Sequence, residues 1–237
     1  MVTAAALRAK IEEKIPAAFS VYSRPEYGKI PTGIVSIDAQ TQGIPLHALT
    51  EICGSNYASS GKTSVLTSLL ARASQDHYCA LVDASDAFSP DTGQAAGIEL
   101  SKLLWVRCGK SKTKTKLPPL EQAFKVTDIL LQSSGFGLIA MDVSGIGEQI
   151  MRKVPLSTWF RFSRVIEKQS AALVFVAQEP HATSYAGLVL RVQSDPAAFS
   201  GKLLTSFNLK VEVVRCGTKK VVASEKSPAF SLKTQWA

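Results

Sequence analysis

An α/β fold, with a mainly parallel sheet flanked by helices on both faces, is predicted by three features of the chain. Short apolar runs alternate with stretches that carry apolar residues at helical spacing. Four of the runs are apolar almost throughout, and a strand with no polar side to show must be covered on both faces. Beyond residue 200 the runs give way to in–out alternation, the sign of an antiparallel extension. Of the 237 residues, 46% are apolar and 19% charged. That is enough apolar surface to offset chain entropy, so an intrinsically disordered chain is excluded. The 15 glycines and 11 prolines are too few for a collagen-like or low-complexity architecture.

The first expected element is a helix over residues 3–17, where Ala4, Leu7, Ile11 and Ile15 recur every three or four positions. Pro16 and the polar stretch 20–29 end it. Residues 1–29 are therefore read as an N-terminal helix and linker, either an arm packed on a neighbouring copy or a plain terminal helix. Residues 30–237 are read as the main domain with its C-terminal β extension. This domain opens with a turn-rich stretch carrying Gly33, Gly43 and Pro45. Residues 48–53 read as the first strand, followed by a Gly/Ser-rich loop. Leu66, Leu69, Leu70 and Ala73 then fall at i, i+3, i+4 and i+7 of a helix. Residues 78–82 form a second strand, ending at Asp83, and residues 103–106 a third. Leu120, Ala123, Phe124, Thr127, Leu130 and Leu131 mark another helix. Residues 137–141 form a fourth strand, ending at Asp142. Leu156, Trp159, Phe160, Ser163 and Ile166 lie on the stripe of a helix that Pro155 can start. Trp159 and Phe160 are expected in the core. Residues 172–177 form a fifth strand, ending at Gln178. Residues 207–214 alternate, residues 216–219 supply a turn, and one or two short strands follow before residue 233.

Ligands of parallel sheets sit at the carboxyl ends of the strands. Here those ends carry residues 54–63, residues 83–86, Asp142 and Gln178, so the polar chemistry converges on one edge. Gly54, Ser59, Ser60, Gly61, Lys62 and Thr63 lie between a strand and a helix, the setting of a phosphate-binding loop. Glycines let backbone N–H groups turn inward around an anion, and the helix N-terminus adds partial positive charge. Lys62 would reach the outer phosphates of a nucleotide, and the Thr63 hydroxyl would ligate Mg²⁺. The usual first glycine of such a loop is replaced by Asn56, with Gly54 two residues earlier. Asparagine tolerates positive φ better than most residues, so either position can make the turn. Asp142 follows an apolar strand, as the aspartate of a magnesium shell does. The plain alternative is a Ser/Gly-rich loop capping a helix, with its lysine exposed.

The residues that carry this pattern resemble the RecA recombinases. The matching stretches are residues 30–38 (IPTGIVSID), 49–54 (LTEICG), 59–63 (SSGKT), 79–84 (CALVDA) and 175–178 (FVAQ), in order. The resemblance is closer still to the ImuA proteins, RecA-like bacterial factors of SOS-induced mutagenesis, through residues 81–88 (LVDASDAF), 103–108 (LLWVRC), 135–138 (GFGL) and 154–160 (VPLSTWF). It implies a RecA-like P-loop core that binds ATP with Mg²⁺, Asp142 in the magnesium shell and Gln178 as the sensor of the terminal phosphate. It also implies an accessory role in error-prone, translesion DNA synthesis and DNA repair. The partners would be a Y-family polymerase-like protein and an error-prone replicative polymerase, with self-association through the N-terminal helix.

The departures carry as much information as the matches. The RecA glutamate that activates water falls on Ser85, so no catalytic residue is assigned and hydrolysis is expected to be slow or absent. The adenine-contacting positions fall near Ser89 and Thr92. The two loops that grip DNA contract to residues 143–153 and 179–184. Two other functions stay open: a DNA-dependent ATPase or recombinase that binds single-stranded DNA, with Asp86 as the replacement base, and a scaffold with a vestigial phosphate site.

Charge adds a weaker signal. The chain has 27 basic and 19 acidic residues, a net charge of +8, consistent with a polyanionic partner such as DNA. Lys110, Lys112, Lys114 and Lys116 form an alternating run that can bind phosphate backbones or simply form a solvated loop. Asp83 and Asp86 read as neighbours of the phosphate site or as helix caps. The three histidines show no metal-ligand spacing. Cys53, Cys79, Cys108 and Cys216 contain no C-x-x-C pair and read as buried free thiols of a reducing compartment. No apolar run approaches the ~18–20 residues that span a bilayer. The N-terminus is too charged for a secretion signal, so a cytoplasmic chain without a membrane partner is expected.

Overall fold

A computed structural model describes residues 3–14, 28–54, 60–109, 117–194, 198–200, 203–217, 219–220 and 229–233. The N-terminal part comprises α1 (Ala4–Lys14), β1 (Lys29–Ile30), α2 (Val35–Thr41) and β2 (Ile44–Pro45). The central part runs β3 (Leu49–Cys53), α3 (Lys62–Asp76), β4 (Tyr78–Asp83), α4 (Pro90–Ala95), β5 (Leu103–Arg107) and α5 (Pro119–Gln132). It continues with β6 (Phe136–Asp142), α6 (Glu148–Met151), α7 (Leu156–Ile166) and β7 (Ala172–Ala177). The C-terminal part holds β8 (Ala186–Ser194), β9 (Ala198–Ser200), β10 (Leu203–Cys216), β11 (Lys219–Lys220) and β12 (Ala229–Lys233).

The main sheet has the order β11-β10-β8-β3-β7-β6-β4-β5. Pairing is parallel from β8 through β5 and antiparallel where β10 meets β8, β9, β11 and β12. The expected parallel sheet with an antiparallel C-terminal extension is therefore what the chain builds. β3 and β6 are separated by β7 alone, so the ends of three adjacent strands share one edge.

Burial explains the apolar runs. Ala80 and Val82 belong to one core cluster, with Ala123 and Leu131 of α5 and Trp159 and Phe162 of α7. Cys79 and Leu81, from the same strand, belong to the other, with Ile37 of α2 and Leu66 and Leu69 of α3. Successive side chains of a strand leave on opposite faces, so a strand covered twice needs apolar residues at every position.

Five expectations change. The helix expected at 3–17 is described over Ala4–Lys14, where no residue is buried, and residues 15–17 lie outside the described residues. The turn-rich stretch contains a helix, α2, whose Asp38 accepts hydrogen bonds from the backbone N–H groups of Thr32 at 2.8 Å and Gly33 at 3.1 Å. β8 pairs with β3 inside the main sheet, where the sequence reading places no strand. In α7 the core positions are Trp159, Phe162 and Ile166, whereas Phe160 is 45% exposed. At 100° per residue, positions i, i+3 and i+7 share a face and Phe160 lies on its flank; there Arg164 covers its ring at 5.3 Å and Tyr185 meets it edge-on. Cys216 is exposed while the other three thiols are buried, because it closes β10 at the rim of the sheet.

Candidate functional site

The edge formed by the carboxyl ends of the strands gathers the polar groups expected from the sequence. β3 ends at Cys53, and α3 begins at Lys62 behind an N-cap, Gly61, in the left-handed conformation with φ of 81°. Glycine is required at 61 for a second reason. A Cβ there would stand 2.3 Å from a methyl of Leu209 on β10. Gly54 is equally confined, since a Cβ would meet the carbonyl oxygen of Val192 at 2.3 Å. Its N–H donates to the carbonyl of Gln178 at 3.1 Å, which ties the end of β3 to the end of β7.

Lys62 is buried, in contrast to the solvated lysine of the plain capping loop. Its ammonium donates to the carbonyl oxygen of Gly54 at 2.8 Å, across the loop. Burial pulls its pKa below the usual lysine range, and the nearby Asp142 opposes that pull. Asp142, at the end of β6, is pushed above the usual carboxylate range by burial. The N–H of Ser144, which donates to its Oδ1 at 2.9 Å, and the charge of Lys62 work against the shift. Each group thus lacks enough opposite charge to favour its ionised form fully. Thr63 is exposed in the first turn of α3, and Ser60 is buried before Gly61. Ser59, with residues 55–58, lies outside the described residues, as do Lys110, Lys112, Lys114 and Lys116.

Gln178, at the end of β7, donates from Nε2 to the carbonyl of Ser144 at 2.9 Å. Among the described residues, its buried Oε1 has no hydrogen-bond partner. The loop after β6 and the loop after β7 are therefore joined at the strand ends. A second tie lies deeper. Glu51, in the middle of β3 and fully buried, accepts from the N–H of His181 at 2.6 Å and of Ala182 at 3.2 Å. Burial raises its pKa to about 7, against the pull of those two N–H groups. The His181 ring stacks on Trp159, and its Nε2 lies 3.3 Å from a Glu148 carboxylate oxygen on α6. This cluster is absent from the sequence reading. A charged residue in the apolar run of residues 49–53 is the signal that points to it.

The end of β4 is organised differently. Asp83 accepts from the N–H of Ser85 at 3.1 Å and of Phe88 at 2.9 Å, so it shapes the turn. Ser85, where the resemblance expects the activating glutamate, has a buried hydroxyl with no hydrogen-bond partner among the described residues, pressed against Gly145. Asp86, with φ of 55°, is engaged by the Arg107 guanidinium, which donates to it from both Nε and Nη2, the latter at 2.7 Å. That hydrogen bond and the charge behind it hold the Asp86 carboxyl below its usual range. Ser89 accepts from the N–H of Thr92 at 3.4 Å and caps α4. Chemically, the edge can hold a phosphate chain and a hard cation, and it places no carboxylate free to activate water at Ser85.

Comparisons with known proteins agree with this arrangement. The family described as RecA N-terminal domain matches residues 21–147. RecA proteins from Chloroflexus aurantiacus and Pseudomonas fluorescens are 31% and 33% identical over 116 residues, 48% of this chain. The match spans 30% of the length of those relatives. Among solved structures, the RadB recombinase superposes with a TM-score of 0.59 at 16% identity, over 82% of this chain and 94% of that one, which is a likeness of fold. Among the described residues, no helix is long and apolar enough to cross a membrane.

Proposed function

The chain belongs to the RecA N-terminal domain family, and from that premise we propose that it binds ATP with Mg²⁺ and serves error-prone DNA repair synthesis as an adaptor, with little or no hydrolysis. The observation that carries the reading is the ordered set at the strand ends: Lys62 behind β3, Asp142 on β6 and Gln178 on β7, with Ser85 in place of a carboxylate on β4. RecA-family proteins bind ATP and Mg²⁺, and the residues here fit both. Lys62 is buried and depressed in pKa, and an outer phosphate would supply the negative charge it lacks. Asp142 is raised in pKa, and a divalent cation would stabilise its ionised form. The Oε1 of Gln178 is an acceptor with no donor among the described residues. Lys62, Thr63 and Asp142 would hold the group; its chemistry would be charge neutralisation at the phosphates.

RecA kinship supports a role in DNA repair or recombination. The finer reading, an accessory factor beside a Y-family polymerase-like protein and an error-prone replicative polymerase, rests on the ImuA-like stretches at residues 81–88, 103–108 and 154–160. Primer extension past a template lesion tests it. Adding the chain to the two polymerases should raise full-length product several-fold, and Lys62→Ala should remove most of that gain. Equal bypass with and without the chain contradicts the adaptor role. DNA-dependent turnover of ATP with no effect on bypass supports the recombinase-type alternative instead.

A further inference from the structure

At the other end of the sheet, a cavity of about 860 Å³ opens beside the first residue of β3. Five residues at about 3.3 Å per residue place it roughly 16 Å from the phosphate-loop end of the same strand, so it is a separate space. Its size falls within the range of about 300–1,000 Å³ typical of small-molecule sites. Leu46, Leu49 and Leu188 give it apolar lining, and Tyr185 adds an aromatic wall.

The charge around it is unbalanced. Among the described residues, Lys29, Arg164 and Lys168 line it, against Glu167 as the one acidic lining residue. Three cations less one anion leave a formal +2 before His47 is counted. Glu167 is committed to Arg164, whose Nη1 donates to it at 3.0 Å. Lys29 donates to the carbonyl of Thr41 at 2.8 Å and to Oε1 of Gln42 at 3.0 Å, and an ammonium has three donors. Among the described residues, neither Lys29 nor Lys168 has an acidic partner. The wall between them is held in unusual backbone. Gln42, Gly43 and His47 have φ of 60°, 108° and 56°. Left-handed backbone is strained at non-glycine residues, and such strain gathers at binding sites.

We propose that this cavity binds a small amphipathic organic anion, its aromatic or alkyl body on Leu46, Leu49 and Leu188 and its acidic head beside Lys29 and Lys168. The proposal is independent of the nucleotide reading. The cavity also carries its own reporter. Cys216 lines it and is exposed. Burial pushes Cys53 and Cys79 up to about 12 and raises Cys108. Thiolate is the reactive form, so Cys216 should be the thiol that N-ethylmaleimide modifies in the folded chain.

The test uses 8-anilinonaphthalene-1-sulfonate as the probe and the full chain as the protein. One equivalent should bind and slow modification of Cys216 at least fivefold. The uncharged analogue N-phenyl-1-naphthylamine should protect at least fivefold less well. Lys168→Glu, at an exposed position, should weaken sulfonate binding fivefold to tenfold with unchanged Tm, and Lys125→Glu, on the exposed face of α5, should leave it alone. Equal protection by the charged and uncharged probes, no protection of Cys216, or binding indifferent to Lys168→Glu in a folded variant would overturn the proposal.

Discussion

The ends of β3 and β4 lie on the same edge of one sheet, yet their charges are managed in opposite ways. On β3, at the start of α3 and at the end of β6, ionisable groups are buried and pushed towards neutrality: Glu51 and Asp142 are raised and Lys62 is lowered, each chiefly by burial. At the end of β4, Asp86 is solvent-facing and Arg107 holds it ionised. Groups of the first kind gain from an arriving counter-charge, and a carboxylate of the second kind already has one. On the proposed reading, binding and turnover draw on different strand ends, so a cradle beside β3 would persist without a water-activating carboxylate on β4.

The largest expected effect concerns Glu51. Its folded pKa of about 7 stands above the ordinary 4.5, so the folded state holds the proton more tightly than the unfolded one. That contribution to stability is complete below pH 4.5 and is lost as pH rises through 7. At 1.36 kcal/mol per pKa unit the loss is on the order of 3 kcal/mol, roughly 6–12 °C in Tm for a chain of this size. Glu51→Gln should flatten the dependence of Tm on pH over that range, measured by thermal melts between pH 4.5 and 8. An unchanged slope would mean that Glu51 is ionised throughout, and the contrast between the two strand ends would weaken.

Next comes Lys62→Ala. A charge-assisted hydrogen bond contributes about 1.5–3 kcal/mol, so ATP affinity should fall roughly tenfold to a hundredfold in calorimetric titration, with the fold intact. Smaller is the effect of Gly145→Ala. Its Cβ would stand 2.2 Å from the Ser85 hydroxyl. The Ser85 Cβ would also stand 2.8 Å away, and no rotation of the hydroxyl moves it, so the loop must give way and the cost should be about 1–2 kcal/mol, read from urea denaturation, with ATP affinity changed less than threefold. The smallest effects belong to Ser85→Ala and Asp86→Asn, which should each change ATP affinity and turnover less than twofold. A tenfold loss of turnover in Asp86→Asn would make that carboxylate the working base and erase the difference between the strand ends.

How much of this was legible in the sequence follows from distance along the chain. Asp142 and Gln178 each follow an apolar run directly, Lys62 follows one across the loop of residues 54–61, and a parallel sheet must bring such strand ends together. Their convergence therefore needed only the period of the runs. β8 escaped because a sheet position depends on its partners. Residues 186–194 begin apolar and end mixed, and β3 and β10 supply what makes them a strand. The Glu51 cluster joins β3 to residues 130 positions further on, which no local pattern encodes. Phe160 and Phe162 show the limit of reading a stripe by eye. A shift of two positions turns the side chain by 200°, and the covering contacts from Arg164 and Tyr185 decide the outcome.

The most direct check of the central claim is one paired experiment on the intact chain: calorimetric binding of ATP with Mg²⁺, followed by release of inorganic phosphate from the same sample with and without single-stranded DNA. The account predicts saturable binding that Lys62→Ala weakens at least tenfold, together with phosphate release that stays near the uncatalysed background whether or not DNA is present. DNA-stimulated release, or no binding at millimolar nucleotide, would contradict it.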